Sequence, residues 1–262
     1  MTIVQSVILG VVQGITEFLP ISSSGHLIIF PRVFGWEPNG MAFDVVVHVA
    51  TLCAIFVALR SDLVELTRRL IRGEATSWRL AAFVLLATVP AVIAGGFFGD
   101  WFTSLRSLAI VGWSLIIWGI ILAVADRVAV GAKRGKGLYS LAWFQAMLIG
   151  IFQVFALIPG TSRSGSTMSV GLLTGLDRDT AARFSFLLAI PAIAGAGLLT
   201  AIDVARDGLD IGLPELFAGA IAAFISGILA INLLLFVIRR ASFLWFAGYR
   251  ILLGIFLLLF LA

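Results

Sequence analysis

The sequence predicts an all-α integral membrane protein with six transmembrane helices plus two re-entrant helix–loop–helix segments in an inverted-topology repeat. Three observations carry this. Of 262 residues, 61% are hydrophobic and 12% charged, with mean hydropathy +1.11, whereas a soluble domain averages about 25% charged. Six apolar runs are long enough to cross ~30 Å of hydrocarbon as helices. A polar motif also recurs inside the apolar chain at an offset of 140 residues, pairing Gly10, Gln13, Ser22, Ser24 and Gly25 with Gly150, Gln153, Ser162, Ser164 and Gly165. Strand alternation is absent, which argues against a membrane barrel.

The elements follow in chain order. Residues 3–30 are apolar but broken by Pro20, three serines and Gly25. Proline removes a backbone donor and glycine loosens a helix. A broken helix at membrane depth is tolerated only when buried in protein or lining a wet cavity, so this stretch reads as re-entrant. Spans follow at 41–59, 80–99 and 107–125. Residues 141–175 repeat the broken pattern around Pro159 and Gly160. The last spans are 183–202, 214–238 and 243–262. Cys53 sits alone in an apolar run, so no disulfide or cysteine–metal site is expected. No basic segment or small-residue cleavage site marks a removable signal peptide.

Loop charge sets the topology. The loops 60–79, 126–137 and 239–240 carry eleven Lys and Arg; 100–106 and 203–213 carry two. The positive-inside rule places the first set in the cytoplasm. Arg68-Arg69, Lys133-Arg134 and Arg239-Arg240 are its determinants. The halves then have opposite orientation: a single membrane domain over 1–262 divides into repeat 1 (1–138) and repeat 2 (139–262). In inverted repeats, sites form between the halves from the discontinuous helices. Net charge +4 fits cytoplasmic loops and anionic lipid, not nucleic acid.

Ionisable residues within membrane segments are expensive and usually functional. Glu17 follows Gln13 by four residues, so both share a helix face; a carboxylate and an amide oxygen suit a hard divalent cation. Ser22, Ser23 and Ser24, with Gly25, form a turn whose hydroxyls and amides can hold an anion, cap a helix or supply a nucleophile. His26 suits acid–base work or attack on phosphorus. His48 shares a face with Asp44. Arg163, between Ser162 and Ser164, suits bidentate phosphate binding. Thr161, Ser166 and Thr167 add hydroxyls. Leu157 stands where the first copy has Glu17, so the first copy carries the reactive chemistry and the second the phosphate clamp.

These motifs resemble a known family. The stretch Gln13 to His26 resembles the first signature of the bacterial undecaprenyl-diphosphate phosphatases, also called bacitracin-resistance proteins. Pro159 to Thr167 resembles the second, Pro-Gly-x-Ser-Arg-Ser-Gly-x-Thr. In the family the first acidic position is Glu or Gln; here it is Gln13, leaving Glu17 as that motif's one carboxylate. The resemblance implies hydrolysis of undecaprenyl diphosphate to undecaprenyl phosphate and phosphate, recycling the lipid carrier for cell-wall synthesis and conferring bacitracin resistance. It implies dependence on a divalent cation, Mg²⁺ or Ca²⁺, and a multi-pass protein of the bacterial inner membrane whose site faces the periplasm. Catalytic candidates are Glu17, His26, Ser22, Ser23 and Arg163; substrate-binding candidates are Ser24, Gly25, Thr161, Ser162, Ser164 and Thr167; metal candidates are Glu17 and Gln13. Partners are the polyprenyl diphosphate substrate and membrane lipids, and a homodimer is compatible with the sequence. Seryl, phosphohistidine and direct-water routes all remain open. The competing reading is a transporter or flippase of a polyprenyl phosphate lipid, because inverted repeats with broken helices typify transporters.

Overall fold

The computed structural model describes residues 1–38, 40–129, 137–207 and 211–262. Among them the chain is helical throughout, without strands. Lys133 and Arg134 lie outside the described residues.

The first broken stretch forms two helices. α1 (Ile3–Phe18) begins with a reciprocal cap in which Thr2 Oγ1 accepts from the Gln5 amide and Gln5 Oε1 accepts from the Thr2 amide. It ends at Phe18, two residues before Pro20, because Leu19, preceding the proline, is pushed out of the helical region into extended backbone. α2 (Ser23–Phe34) restarts the chain. α3 (Met41–Ala58) is followed by α4 (Arg60–Ile71), bent 72° from it. The sequence reads this segment as loop; it is instead an amphipathic helix with Asp62 in its first turn and Arg68 and Arg69 in its last. Those charges complement the helix dipole. α5 (Ala75–Ser104) carries Pro90 and a non-helical kink at Phe98, and α6 (Leu108–Ala129) follows.

The second broken stretch gives α7 (Trp143–Gln153), a 3₁₀ turn over Val154–Leu157, and α8 (Arg163–Leu173). α9 (Arg178–Asp207), α10 (Leu213–Val237) and α11 (Leu244–Phe260) complete the chain. By length and composition four helices can cross a membrane: α5, α6, α9 and α10, or five if α3 and α4 form one bent span. α11, read as a sixth span, has 17 residues, about 26 Å at 1.5 Å per residue.

The interior combines a large apolar core around Phe18, Phe184 and Phe186 with buried polar groups, and much of the surface is apolar. Large apolar side chains such as Leu85, Phe97, Leu229 and Leu252 point outward, while Gln13, Glu17, Ser22, His26, Ser164 and Arg250 are buried. Glycines let the helices approach. A Cβ at Gly10 of α1 would lie 2.3 Å from the Gly219 carbonyl oxygen of α10, and one at Gly150 of α7 would lie 2.4 Å from the Ala87 oxygen of α5. Equivalent glycines thus press each broken helix onto a helix of the opposite half. Small residues at such crossings are the usual route to close helix packing in lipid. Partly buried ion pairs tie the bundle at one end. Arg178 holds Asp126 through Nε at 2.5 Å and Nη2 at 2.9 Å, and Arg183 bridges Asp62 and Asp179.

Gly14 tests this packing. An added Cβ would meet Ser226 Oγ at 2.0 Å and the Ala223 oxygen at 2.4 Å, whereas nothing lies within 4 Å at Gly96. Gly14→Ala should cost ~1–3 kcal/mol by overpacking, read as a lowered unfolding midpoint in detergent. Gly96→Ala should leave the midpoint unchanged or raise it.

Candidate active site

The two helix breaks adopt the same turn. Ser22 (φ 79°) and Ser162 (φ 74°) are the non-glycine residues with positive φ among the described residues. A left-handed backbone costs an L-residue about 1–3 kcal/mol and persists only where the surroundings impose it. Here the cap imposes it. Ser22 Oγ accepts from the Gly25 amide at 3.3 Å, and Ser162 Oγ from the Gly165 amide at 3.0 Å. Each hydroxyl also meets the serine two residues on, Ser24 at 3.3 Å and Ser164 at 3.1 Å.

The turns face each other and are tied together. Ser164 Oγ donates to the Leu19 carbonyl at 3.0 Å. Arg250, wholly buried on α11, donates to the carbonyls of Pro20 (3.1 Å), Gly160 (3.0 Å) and Thr161 (2.6 Å). One guanidinium therefore satisfies acceptors freed by both breaks. Gly165 makes room for it, since a Cβ there would lie 2.4 Å from Arg250 Nη1.

Glu17 sits at this junction, 6% exposed. Its Oε1 accepts from Arg163 Nη2 at 2.9 Å. Its Oε2 accepts from Ser23 Oγ at 2.7 Å and from Gln13 Nε2 at 3.1 Å, and lies 3.7 Å from His48 Nε2. The Glu17–Arg163 pair joins residues 146 apart, one from each broken helix. Arg163 is fixed on its other side, where Nη1 donates to the Ser185 carbonyl at 3.0 Å. Thr167 Oγ1 meets both the Arg163 carbonyl and the Ser185 hydroxyl at 2.7 Å. Ser166 Oγ reaches the Arg163 carbonyl at 3.1 Å.

His26 belongs to a second set of contacts. Its Nδ1 lies 2.6 Å from the Ser22 carbonyl, so Nδ1 carries the proton; Nε2 lies 2.7 Å from the Tyr249 hydroxyl, which donates to it. The two rings are within 11° of parallel. The imidazole thus grips the turn that carries the serines.

The sequence candidates therefore separate by contact. Glu17, Ser23, Arg163 and Gln13 come together. Ser22, Ser24, Gly25, Ser162 and Ser164 build the paired turns. Thr167 braces Arg163, and the buried Thr161 hydroxyl has no hydrogen-bond partner. Sequence reasoning passed over Arg250, Tyr249 and Ser185. Arg250 carried a signal, being a lone cation in an apolar run; Ser185 carried none.

Among the described residues no three His, Cys, Asp or Glu side chains gather as a metal cage. The oxygen donors at the junction are Glu17 and Gln13 Oε1, which is buried without a partner. That pair suits a hard cation that draws its other ligands from phosphate oxygens.

A family model, bacitracin resistance protein BacA, matches residues 6–256. The chain belongs to the BacA family. Among curated relatives, the undecaprenyl-diphosphatase of Alteromonas mediterranea is 43% identical over 99% of both chains. That of Hahella chejuensis is 42% identical over 100% of this chain and 99% of its own. That of Moorella thermoacetica is 43% identical over 97% and 96%. The similarity to these relatives thus spans both broken helices and the helix carrying Arg250.

Arg250→Met keeps the bulk of that side chain and strands its three carbonyl acceptors. Buried unsatisfied groups cost about 1–3 kcal/mol each, so the variant should lose 3 kcal/mol or more, seen as a large fall in unfolding midpoint. An unchanged midpoint would remove Arg250 from its place as the tie between the turns.

Proposed function

We propose that this chain is a membrane phosphatase that hydrolyses undecaprenyl diphosphate to undecaprenyl phosphate and inorganic phosphate. The relatives matched over essentially their whole length carry the name undecaprenyl-diphosphatase. The observation that carries the chemistry is Ser23 Oγ, 2.7 Å from a buried carboxylate that is itself paired with Arg163.

Ser23 is the nucleophile in this reading. Its Oγ attacks the terminal phosphorus as its proton passes to Glu17 Oε2; the bridging P–O bond breaks and undecaprenyl phosphate leaves. Water then attacks the phosphoseryl group, the Ser23 Oγ–P bond breaks, and Oγ recovers the proton held on Glu17. Both protons of the attacking water leave with the phosphate, as H2PO4⁻, and Glu17 is again ionised. Phosphoryl transfer depends on positioning and charge stabilisation, and the ion pair couples the two. When Glu17 takes a proton it no longer holds Arg163 by charge, so the guanidinium turns to the phosphate oxygens, where its planar fork suits two of them at once. Ser22, Ser162 and the hydroxyls beside them keep the turns in place. His26 holds the Ser22 carbonyl and is a positioning residue. Glu17, while ionised, and Gln13 Oε1 would hold a divalent cation, Mg²⁺ or Ca²⁺, which would supply further positive charge to the substrate oxygens.

The frame of this proposal is six spans and two re-entrant segments in the inverted halves 1–138 and 139–262. The loop charges support an inner-membrane protein whose reactive turn opens to the periplasm. The prenyl tail leaves through the apolar flank. A carrier needs no hydroxyl aimed at a buried carboxylate, so Ser23 favours the phosphatase over the flippase.

Purified protein should release phosphate from undecaprenyl diphosphate in detergent. Ser23→Ala should lower turnover by at least roughly 10²-fold, as expected for loss of a group acting in proton transfer or attack. Release at the parental rate by Ser23→Ala would contradict the assignment, and no release by the parent would contradict the activity.

A further inference from the structure

A cavity of about 300 Å³ opens beside the end of α10, remote in sequence from the residues of the proposed mechanism. It is lined by Arg183, Asn232, Leu235, Phe236, Arg239 and Arg240. Its walls are of two kinds. Leu235 and Phe236 are apolar. Asn232 is an exposed amide in the otherwise apolar last turns of α10, 227–237. It lies five residues before the end of α10, roughly 8 Å deep along the helix axis. That depth is out of place for a polar group facing hydrocarbon and in place for one facing a head group.

The charges do not cancel. Arg183 is held by Asp179 at 2.7 Å and by Asp62. Arg239 reaches the other oxygen of Asp179 at 3.4 Å and is 62% exposed. Arg240, which also lines the cavity, lies over the Phe236 ring at 4.6 Å. Three guanidiniums face two carboxylates, leaving one positive charge beside an apolar wall. Arginine clusters between helices near a membrane surface are suited to anionic head groups, and a guanidinium fork matches phosphate oxygens.

We propose that this cavity binds a net-anionic phosphate group, seated between Arg239 and Arg240 with Asn232 below it. Two sources share that chemistry: the head group of an anionic phospholipid, whose glycerol and first methylenes would lie on Leu235 and Phe236, and free inorganic phosphate. The site takes no part in the proposed hydrolysis, so it stands or falls separately.

The test is native mass spectrometry of the full chain with phosphatidylglycerol, with zwitterionic phosphatidylcholine, or with inorganic phosphate. The parent should retain phosphatidylglycerol in preference to phosphatidylcholine. Arg239→Gln with Arg240→Gln, both exposed and so compatible with folding, should weaken that binding by roughly 30-fold. Arg68→Gln with Arg72→Gln makes the same charge change on α4 and the residue after it, and should leave binding nearly unchanged. Inorganic phosphate bound with the same dependence on Arg239 and Arg240 would support the site and assign it to the free anion. Equal losses in the two double variants, or no preference for either anion over phosphatidylcholine, would overturn it.

Discussion

Everything at the junction depends on satisfying backbone carbonyls that two broken helices leave without partners. These carbonyls are buried in the protein, so the chain itself must supply their donors, and each lost bond is costly. Arg250 answers the problem for both breaks at once, with one side chain on three carbonyls from Pro20, Gly160 and Thr161. Burying a guanidinium is itself expensive unless its donors are well matched. Cation and carbonyls therefore stabilise each other, and neither arrangement is favourable alone. Because the acceptors belong to both halves of the chain, the clasp also fixes the halves against each other.

That registration makes the chemistry available. Glu17 and Arg163 lie at the ends of different broken helices and meet only because the turns meet. Their pairing keeps two buried charges neutral as a set while leaving Ser23 aimed at the carboxylate. The strained φ of Ser22 and Ser162 belongs to the same arrangement. The local rule is broken at both turns, and the caps and surrounding packing hold the strain. Glycine contacts at Gly10 and Gly150 bring the broken helices close enough to α10 and α5 for this to happen.

Much of the fold was legible because lipid forces a simple code. Each apolar run from 41–59 to 243–262 became a helix, and both Pro- and Ser-marked breaks fell where the motif put them. The loop at 60–79 was less legible: charge alone suggested a connection, whereas α4 uses those charges to build an amphipathic helix. At the junction, Glu17, Ser23 and Arg163 stand out from local chemistry, and the structure brings them into contact. Their other partners do not stand out in this way. Ser185 reaches Arg163 through a backbone carbonyl, which no side-chain pattern encodes. Tyr249 meets His26 across 223 residues. The serines also look alike in sequence, but the turn geometry divides them, with Ser22 capping and Ser23 free to face the carboxylate.

The central claim is that the two broken helices make one site through the Glu17–Arg163 pair. The most direct test is a double-mutant cycle in phosphate release, comparing Glu17→Gln, Arg163→Gln and the double variant with the parent. Residues that act as one unit are strongly non-additive. The double variant should lose about as much turnover as the more damaged single variant. Losses that multiply across the two positions would show that Glu17 and Arg163 act independently, and would contradict a single site built from both halves.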